Sequence, residues 1–562
     1  MRKFGRALVA AATALALMMI GAPPARADTY VPVTGAGSTW SENAIRQWAS
    51  NVEQYGMRVN YDGTGSTNGR NQFASGLTDF GVSEIPYGKD DGASTEARPK
   101  FPFAYMPIVA GGTAFMYNLK VGNKLVTNLR LSGDTLAKIF TNVITVWNDP
   151  AIKADNPGLA LPARKIVPVV RSDGSGTTAQ FTTWMSNQYP SIWNAYCAKA
   201  GRKNPCGVTS LYPVIPGSAT TAQSGSQSVA GYVAQDGSQG AITYVEYSYA
   251  LYAKFPVAKI RNASNYYIEP TAQSVAVALL AAQINTNKNS PDYLTQDLRP
   301  VYNYKDKRTY PLSSYSYMLI PVDQENSRFK VAKGKTLGDF SYYFLCEGQQ
   351  QADQLGYSPL PINLVKAGLE QVRRIPGVAK QNVNIQKCNN PTFSKDGTNT
   401  LAKNAPFPSE CDKAGVTQCN NGTGGAKADT PTTGGGKKPT GTTGGGADKP
   451  TGGAKTATPT KGATAGVAAG GGGTPTAGNV AGGGAPAAID PDTGQAIGGT
   501  GGGDGTGSID NAAAIPVSVG TQVDGTLKTV LIALACALLI GLTVGPPLAA
   551  RLLDRDNRGD RR

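Results

Sequence analysis

The sequence contains three turns built from Gly-x-Gly followed by Ser-Thr or Thr-Thr, each between an extended apolar segment and a helical pattern. The three copies are Gly35–Thr39, Gly63–Thr67 and Gly174–Thr178. Glycine lets the backbone approach a ligand closely, and a helix N-terminus presents free N–H groups to an anion. Ser and Thr are also ordinary helix caps, so a single copy indicates little. Three copies, the third directly after Arg171, predict one oxyanion site assembled from several loops.

Short Val- and Ile-rich segments alternate with helical patterns along the chain. This alternation predicts an α/β architecture with mainly parallel sheets. In such sheets ligands bind at the carboxyl ends of the strands, which is where the glycine turns lie. The predicted helices are Ser41–Gln54, Thr135–Phe140, Ala179–Asn187, Thr271–Ile284 and Leu360–Arg374.

The two ends of the chain have the composition of targeting segments. Residues 1–27 combine a basic start, an apolar run and the site Ala25-Arg26-Ala27, which predicts a signal peptide cleaved before Asp28. Residues 527–550, uncharged from Thr529 to Ala550, predict a transmembrane helix. The arginine-rich tail, residues 551–562, predicts a cytoplasmic C-terminus. The sequence thus predicts a single-pass cell-membrane protein whose folded part lies outside the cytoplasm.

Residues 421–524 consist mostly of Gly, Thr, Ala, Pro and Lys. Such a segment buries too little apolar surface to offset its ordering entropy, so we expect a disordered linker. The region between the signal peptide and this linker is larger than one core usually supports, which favours two lobes. A net charge of +15 suits an anionic ligand or envelope surface. Export and the lack of a dense basic block argue against a nucleic-acid partner.

Six of the seven cysteines lie outside the predicted span. An even number in an exported region indicates disulfides, although six cysteines allow many pairings. Two pairs are close enough in sequence for small loops, and two cysteines are left over. The candidate pairs are Cys197 with Cys206, Cys411 with Cys419, and Cys346 with Cys388.

The chain contains no histidine. This excludes Ser-His-Asp triads, Cys-His pairs and histidine-based zinc sites. A complete Walker A loop is also absent, because Phe329 stands where its first glycine would be. The sequence therefore favours a non-catalytic protein, and it predicts neither a cofactor nor a metal.

Six segments, in order, resemble the phosphate-binding protein of the bacterial phosphate ABC importer. The third turn, Arg171-Ser172-Asp173-Gly174-Ser175-Gly176-Thr177, is the most similar to the family's phosphate loop. The other segments are Gly35–Trp40, Asn60–Ser66, Asp79–Pro86, Trp147–Ile152 and Gly240–Tyr247. The resemblance covers about Val33 to Pro376 and does not extend to the linker or the span.

The resemblance implies a two-lobed periplasmic-binding-protein type II fold with inorganic phosphate in the cleft. Lobe I would comprise residues 28–112 and 310–420, and lobe II residues 113–309. It also implies delivery to the permease subunits of an ABC importer. The implied phosphate contacts are Ser38, Thr39, the Trp40 backbone, Ser66, Glu84, Arg171, Ser175, Gly176 and Thr177, with Asp173 orienting Arg171.

Three positions depart from the family pattern. Trp40 stands where the family usually has Phe. The second loop reads Ser66-Thr67-Asn68-Gly69, whereas the family commonly has Ser-Ser-Gly-Gly there. Most important, Glu84 replaces the usual Asp, which leaves the choice of anion open. Other functions also remain open: a phosphate-sensing or structural surface protein, a receptor for a related oxyanion, or an enzyme acting on phosphate esters.

Overall fold

The structure is a computed structural model that describes residues 30–89 and 96–428. The predicted signal peptide (1–27), transmembrane helix (527–550) and tail (551–562) lie outside these residues, as does the linker beyond 428. The described part falls within one of two compact units, Met1–Ala463. Among the helices of that part, none is long and apolar enough to span a membrane.

The strands, in chain order, are β1 (Val33–Gly37), β2 (Val59–Asp62), β3 (Phe80–Ser83), β4 (Phe103–Tyr117), β5 (Lys120–Val121), β6 (Lys124–Leu125), β7 (Arg130–Leu131), β8 (Val167–Arg171), β9 (Thr221–Gln223), β10 (Ala241–Glu246), β11 (Lys259–Arg261), β12 (Tyr267–Ile268), β13 (Gln283–Ile284), β14 (Gln296–Asp297) and β15 (Ser313–Pro321).

The α-helices are α1 (Glu42–Glu53), α2 (Ser66–Ala74), α3 (Gly133–Phe140), α4 (Pro150–Asp155), α5 (Gly176–Gln188), α6 (Pro190–Lys199), α7 (Gly225–Ala234), α8 (Tyr247–Ala253), α9 (Ala272–Ala278), α10 (Arg299–Tyr302), α11 (Val331–Leu345), α12 (Ile362–Val372) and α13 (Thr400–Lys403). Short 3-10 turns connect several of them.

Eight strands form one sheet in the order β2-β1-β3-β15-β4-β10-β8-β9. Its two ends are parallel, and the antiparallel strands β4 and β15 lie between them. β4 pairs with β15 up to Gly112 and with β10 from Thr113 onward. We call the part built on β1–β3, β15 and the first half of β4 lobe I, and the part built on β8–β10 and the second half of β4 lobe II.

Apolar spacing explains how the first helix packs. Buried residues on α1 recur about every four positions, at Ala44, Ile45, Trp48, Ala49 and Val52, so one face of the helix covers the sheet. All but the first residue of β4 are buried, as expected for a strand with cover on both faces. The core of each lobe thus lies between its part of the sheet and the flanking helices.

Four of the five predicted helices are confirmed as α1, α3, α5 and α12. The prediction for Thr271–Ile284 is wrong in its second half. α9 ends at Ala278, and Gln283–Ile284 instead pairs with Gln296–Asp297 as a small antiparallel ribbon. The apolar run continues past the helix end, so periodicity alone did not show where pairing takes over.

The three candidate disulfides are confirmed: Cys197–Cys206, Cys346–Cys388 and Cys411–Cys419. The Cys411–Cys419 disulfide closes a loop that lies on lobe II. The predicted boundaries place this loop on lobe I. Buried Arg130 donates hydrogen bonds to the carbonyl oxygens of Cys411 and Val416 at 2.9 and 2.8 Å. Lys259 also pairs with Asp412 at 2.7 Å. Through these contacts the C-terminal segment packs against lobe II.

Packing continues beyond residue 420, into the segment that the composition assigns to the linker. Thr423 has no exposed surface. Its hydroxyl lies 2.6 Å from the carbonyl oxygen of Val257 and accepts a hydrogen bond from that residue's N–H at 3.2 Å. The Thr423 N–H donates to the Thr127 carbonyl at 3.0 Å. Residues 421–428 are therefore part of the folded unit.

We expect a chain ending at Asn420 to unfold at a lower temperature than one ending at Ala428. The shorter chain loses the hydrogen bonds that Thr423 makes to the buried carbonyl groups of Val257 and Thr127, and the loss of a partner by a buried polar group costs about 1–3 kcal/mol. Thermal unfolding of the two chains, with Thr423→Val in the longer one as a local comparison, measures the difference. Equal Tm values would show that these contacts contribute nothing.

Candidate functional site

The first glycine turn places its residues at the carboxyl end of β1. Gly37 has φ +140°, and a Cβ there would lie 2.2 Å from the carbonyl oxygen of Val82. A Cβ on Gly69 of α2 would lie 2.2 Å from the Gly37 Cα. These close approaches explain the glycines: they allow β3 and the second loop to pack directly against the first loop. Ser38, Thr39 and Ser66 are all buried.

Three successive carbonyl groups of the first loop, those of Ser38, Thr39 and Trp40, each accept a hydrogen bond from a tyrosine hydroxyl. Because a peptide unit is planar and trans, fixing one carbonyl also fixes the next residue's N–H. The N–H groups of Thr39, Trp40 and Ser41 are therefore held in defined directions. The tyrosine hydroxyls that donate to these carbonyls are those of Tyr61 to Ser38 (2.8 Å), Tyr249 to Thr39 (2.5 Å) and Tyr357 to Trp40 (2.7 Å).

Glu84 lies at the centre of the cluster and has no exposed surface. Its carboxylate accepts hydrogen bonds from the hydroxyls of Ser38 (2.5 Å), Ser66 (2.7 Å) and Ser316 (2.9 Å). Burial raises the pKa of the Glu84 carboxyl, and the three hydroxyls oppose that rise. The side chain therefore points into the cluster of predicted site residues and not to solvent.

The second and third turns meet across the cleft. The Gly176 N–H donates to the Ser66 hydroxyl at 3.0 Å, and the Thr67 N–H donates to the Gly174 carbonyl at 3.0 Å. A Cβ on Gly176 would lie 1.9 Å from a Glu84 carboxylate oxygen. The third turn thus needs glycine so that the start of α5 can contact the acid of lobe I.

Arg171 ends β8, and its side chain is 2% exposed. Its Nε donates to one carboxylate oxygen of Asp173 at 2.7 Å, and its Nη2 donates to the other. Burial raises the pKa of the Asp173 carboxyl, but the charge and hydrogen bonds of Arg171 outweigh that effect and hold this pKa below its ordinary value. The remaining nitrogen, Nη1, faces the Ser226 hydroxyl at 3.2 Å. Asp173 therefore fixes the guanidinium so that Nη1 is directed to the cleft.

Ser175 and Thr177 differ in how their hydroxyls are used. Ser175 caps α5, its hydroxyl accepting from the Thr178 N–H at 3.2 Å, and its own N–H donates to Ser210 at 3.0 Å. The Thr177 hydroxyl is buried and, among the described residues, finds no hydrogen-bond partner. A buried hydroxyl without a partner is costly, so Thr177 has donor capacity to spare for a ligand.

Two cleft residues were missed by the sequence analysis. Ser226 is the second residue of α7 and contacts both Arg171 and the Thr39 hydroxyl, the latter at 2.8 Å. The turn Ser224-Gly225-Ser226 lies between a strand and a helix, as the three glycine turns do. A search for that pattern could therefore have found Ser226. Ser316 lies on β15, 232 residues from Glu84 in sequence. No local pattern marks Ser316, since only the sheet brings β15 next to β3.

The lobes touch at the site. Hydrogen bonds between lobe I and lobe II join Thr39 to Ser226, Ser66 to Gly176, Thr67 to Gly174 and Ser210, and Glu84 to Gln180. A cavity of about 570 Å³ adjoins Glu84, and its lining mixes polar residues such as Gln180 and Gln296 with apolar residues such as Ile284 and Leu298. Within residues 30–89 and 96–428 no group of acidic or cysteine side chains could hold a metal ion.

The arrangement defines the class of protein. Residues 22–347, more than half of the chain, match the sequence model of the PBP superfamily domain. This match agrees with two lobes of mixed α/β structure joined by antiparallel crossing strands and a site between them.

Within that superfamily the chain is similar to curated proteins named phosphate-binding protein PstS. One from Xylella fastidiosa is 33% identical over 345 residues, 61% of this chain and 85% of the relative. One from Methanocaldococcus jannaschii is 30% identical over 345 residues, 60% of this chain and 85% of the relative. The chain belongs to this PstS family of the PBP superfamily. A crystal structure of an ABC-type phosphate transport receptor from Vibrio cholerae is 18% identical, with a TM-score of 0.35 over 58% of this chain and 100% of that one.

Proposed function

We propose that this protein is an extracytoplasmic solute-binding protein that captures inorganic phosphate and delivers it to an ABC importer. The observation that carries the proposal is the convergence of fixed donors on one interlobe site. Backbone N–H groups of two loops, serine and threonine hydroxyls and the Nη1 of Arg171 all meet there. Such donors replace the water around a desolvated anion. The PstS relatives support phosphate as that anion.

Each residue of the site has a role in this proposal. Arg171 supplies the full positive charge, and Asp173 orients it. Glu84 accepts a hydrogen bond from a protonated phosphate oxygen. Ser175 contributes through its place at the start of α5, because its hydroxyl already caps that helix. The remaining donors to phosphate are Ser38, Thr39, the Trp40 N–H, Ser66, Gly176 and Thr177.

A calorimetric titration of the purified protein with phosphate, sulfate and a phosphomonoester tests the function. We expect phosphate to bind with one site per chain and sulfate to bind far more weakly. Tight binding of the phosphomonoester, with its organic part in the 570 Å³ cavity, would instead favour a receptor for organic phosphates. Turnover of that ester would show the enzyme alternative to be correct, and binding of none of the three would favour a structural surface protein.

We further propose that residues 1–27 direct export and that residues 527–550 hold the protein in the membrane, with the linker between. We expect the full chain in the membrane fraction and a chain ending at Ala428 in the culture medium, still able to bind phosphate. The measurement is immunodetection in the two fractions after a salt wash. A shortened chain that stays in the membrane fraction would contradict this anchor.

A further inference from the structure

The side chain of Ser226 touches two of the proposed phosphate contacts, one from each lobe. Its hydroxyl oxygen accepts a hydrogen bond from Nη1 of Arg171 at 3.2 Å and lies 2.8 Å from the Thr39 hydroxyl oxygen. Its backbone N–H also donates to the Thr39 hydroxyl at 3.1 Å. Ser226 has no exposed surface, so bulk water does not compete for these bonds. One residue of α7 thus joins Thr39 of lobe I to the guanidinium of lobe II.

The turn before Ser226 fixes where its hydroxyl lies. Gly225 has φ +80°, a backbone conformation that favours glycine. Its N–H donates to a carboxylate oxygen of Asp173 at 2.9 Å, and the same oxygen accepts from Nε of Arg171. The first two residues of α7 therefore contact both members of the Arg171–Asp173 pair.

The number of available protons limits which way the two hydroxyls point. A guanidinium and a backbone N–H can only donate, so the Ser226 oxygen accepts from Arg171 and the Thr39 oxygen accepts from the Ser226 N–H. Each hydroxyl has one proton to give, and one of the two protons lies between the two oxygens. If Thr39 donates to Ser226, it has no proton left for a ligand. If Ser226 donates to Thr39, the Thr39 proton is free for an anion.

We propose that Ser226 is a positioning residue for phosphate, which accepts from Arg171 and donates to Thr39 so that the Thr39 proton is directed at the anion. This inference rests on the proposed function, in which Thr39 and Arg171 are donors. The second N–H of Nη1 also takes a fixed direction, because the guanidinium is planar and its first N–H is held by Ser226. The hydrogen bonds then run in one direction from the cation to the ligand, and bonds in such a chain strengthen one another.

The affinity for inorganic phosphate, measured by titration calorimetry on the purified protein, tests this role. Ser226→Ala should weaken phosphate binding about tenfold, the effect expected from the loss of one or two ordinary hydrogen bonds. Ser226→Thr keeps the hydroxyl and should recover most of the affinity. Ser228→Ala, at an exposed position of the same helix, is the matched control and should bind as the wild type does.

A double-mutant cycle with Thr39→Val separates positioning from direct contact with phosphate. The valine keeps the shape of the side chain and removes its hydroxyl. Because Ser226 acts in large part through that hydroxyl, Ser226→Ala should weaken binding by only about threefold or less in the Thr39→Val background. Thermal unfolding of each variant shows that it is folded, and Thr39→Ala serves in the cycle if the valine variant does not fold.

A full tenfold effect of Ser226→Ala in the Thr39→Val background would overturn the inference, since Ser226 would then donate to phosphate itself. Wild-type affinity in Ser226→Ala would overturn it as well. Both results leave the proposed function intact, because they are measured as changes in phosphate binding. Absence of phosphate binding by the wild-type protein would overturn the proposed function and this inference together.

Discussion

Arg171→Ala should weaken phosphate binding by roughly two to four powers of ten. Arg171 is buried and directs Nη1 to the cleft, while Asp173 holds its other two nitrogens. Charge-assisted hydrogen bonds are worth about 1.5–3 kcal/mol each. The loss of two such bonds to a buried anion gives this range at about 1.4 kcal/mol per tenfold. Titration calorimetry of the variant measures it.

Stability must be separated from binding in that experiment, because Arg171→Ala leaves Asp173 buried without its cation. The double variant Arg171→Ala with Asp173→Asn removes the unpaired charge, so it should regain stability but not affinity. Arg164→Ala, at an exposed position of lobe II, makes the same change away from the cleft and should bind normally. An affinity near wild type in the single variant would mean that Arg171 only stabilises the third glycine turn and does not bind the anion.

The site residues predicted from the sequence are those whose signal is local. Each glycine turn is contiguous, so its strand, its close backbone approach and its helix start can be read within a few residues. The positions of Gly37, Gly69 and Gly176 against neighbouring backbone or Glu84 explain why glycine is required there. The phosphate roles of these residues remain predictions.

The residues missed from the sequence depend on distant pairing. Ser316 contacts Glu84 because β15 lies beside β3 in the sheet. The tyrosines that fix the first loop come from three separate parts of the chain. Composition also placed the end of the folded unit too early, because a Gly- and Thr-rich segment is on average typical of disorder. In the structure the Thr423 hydroxyl pairs with the Val257 backbone, a contact that exists only once lobe II has folded.

Glu84→Gln should raise affinity for sulfate by about two to three powers of ten and remove most of the discrimination against it. Sulfate brings no proton, and its oxygens are too weakly basic to take one up near neutral pH. In the wild type it therefore places a dianion beside a buried carboxylate. Two like charges about 4 Å apart repel by about 4 kcal/mol at the effective dielectric constant usual for proteins, or roughly a thousandfold at about 1.4 kcal/mol per tenfold.

A glutamine at this position can donate its amide N–H to sulfate, which an ionised glutamate cannot do. Competition titrations of wild type and variant with both anions give the ratio of affinities directly, with Glu53→Gln, at an exposed acid on α1, as the matched control. A wild-type protein that binds sulfate as tightly as phosphate would refute the role of Glu84 in selection. Unchanged discrimination in the variant would transfer that role to the shape of the cleft.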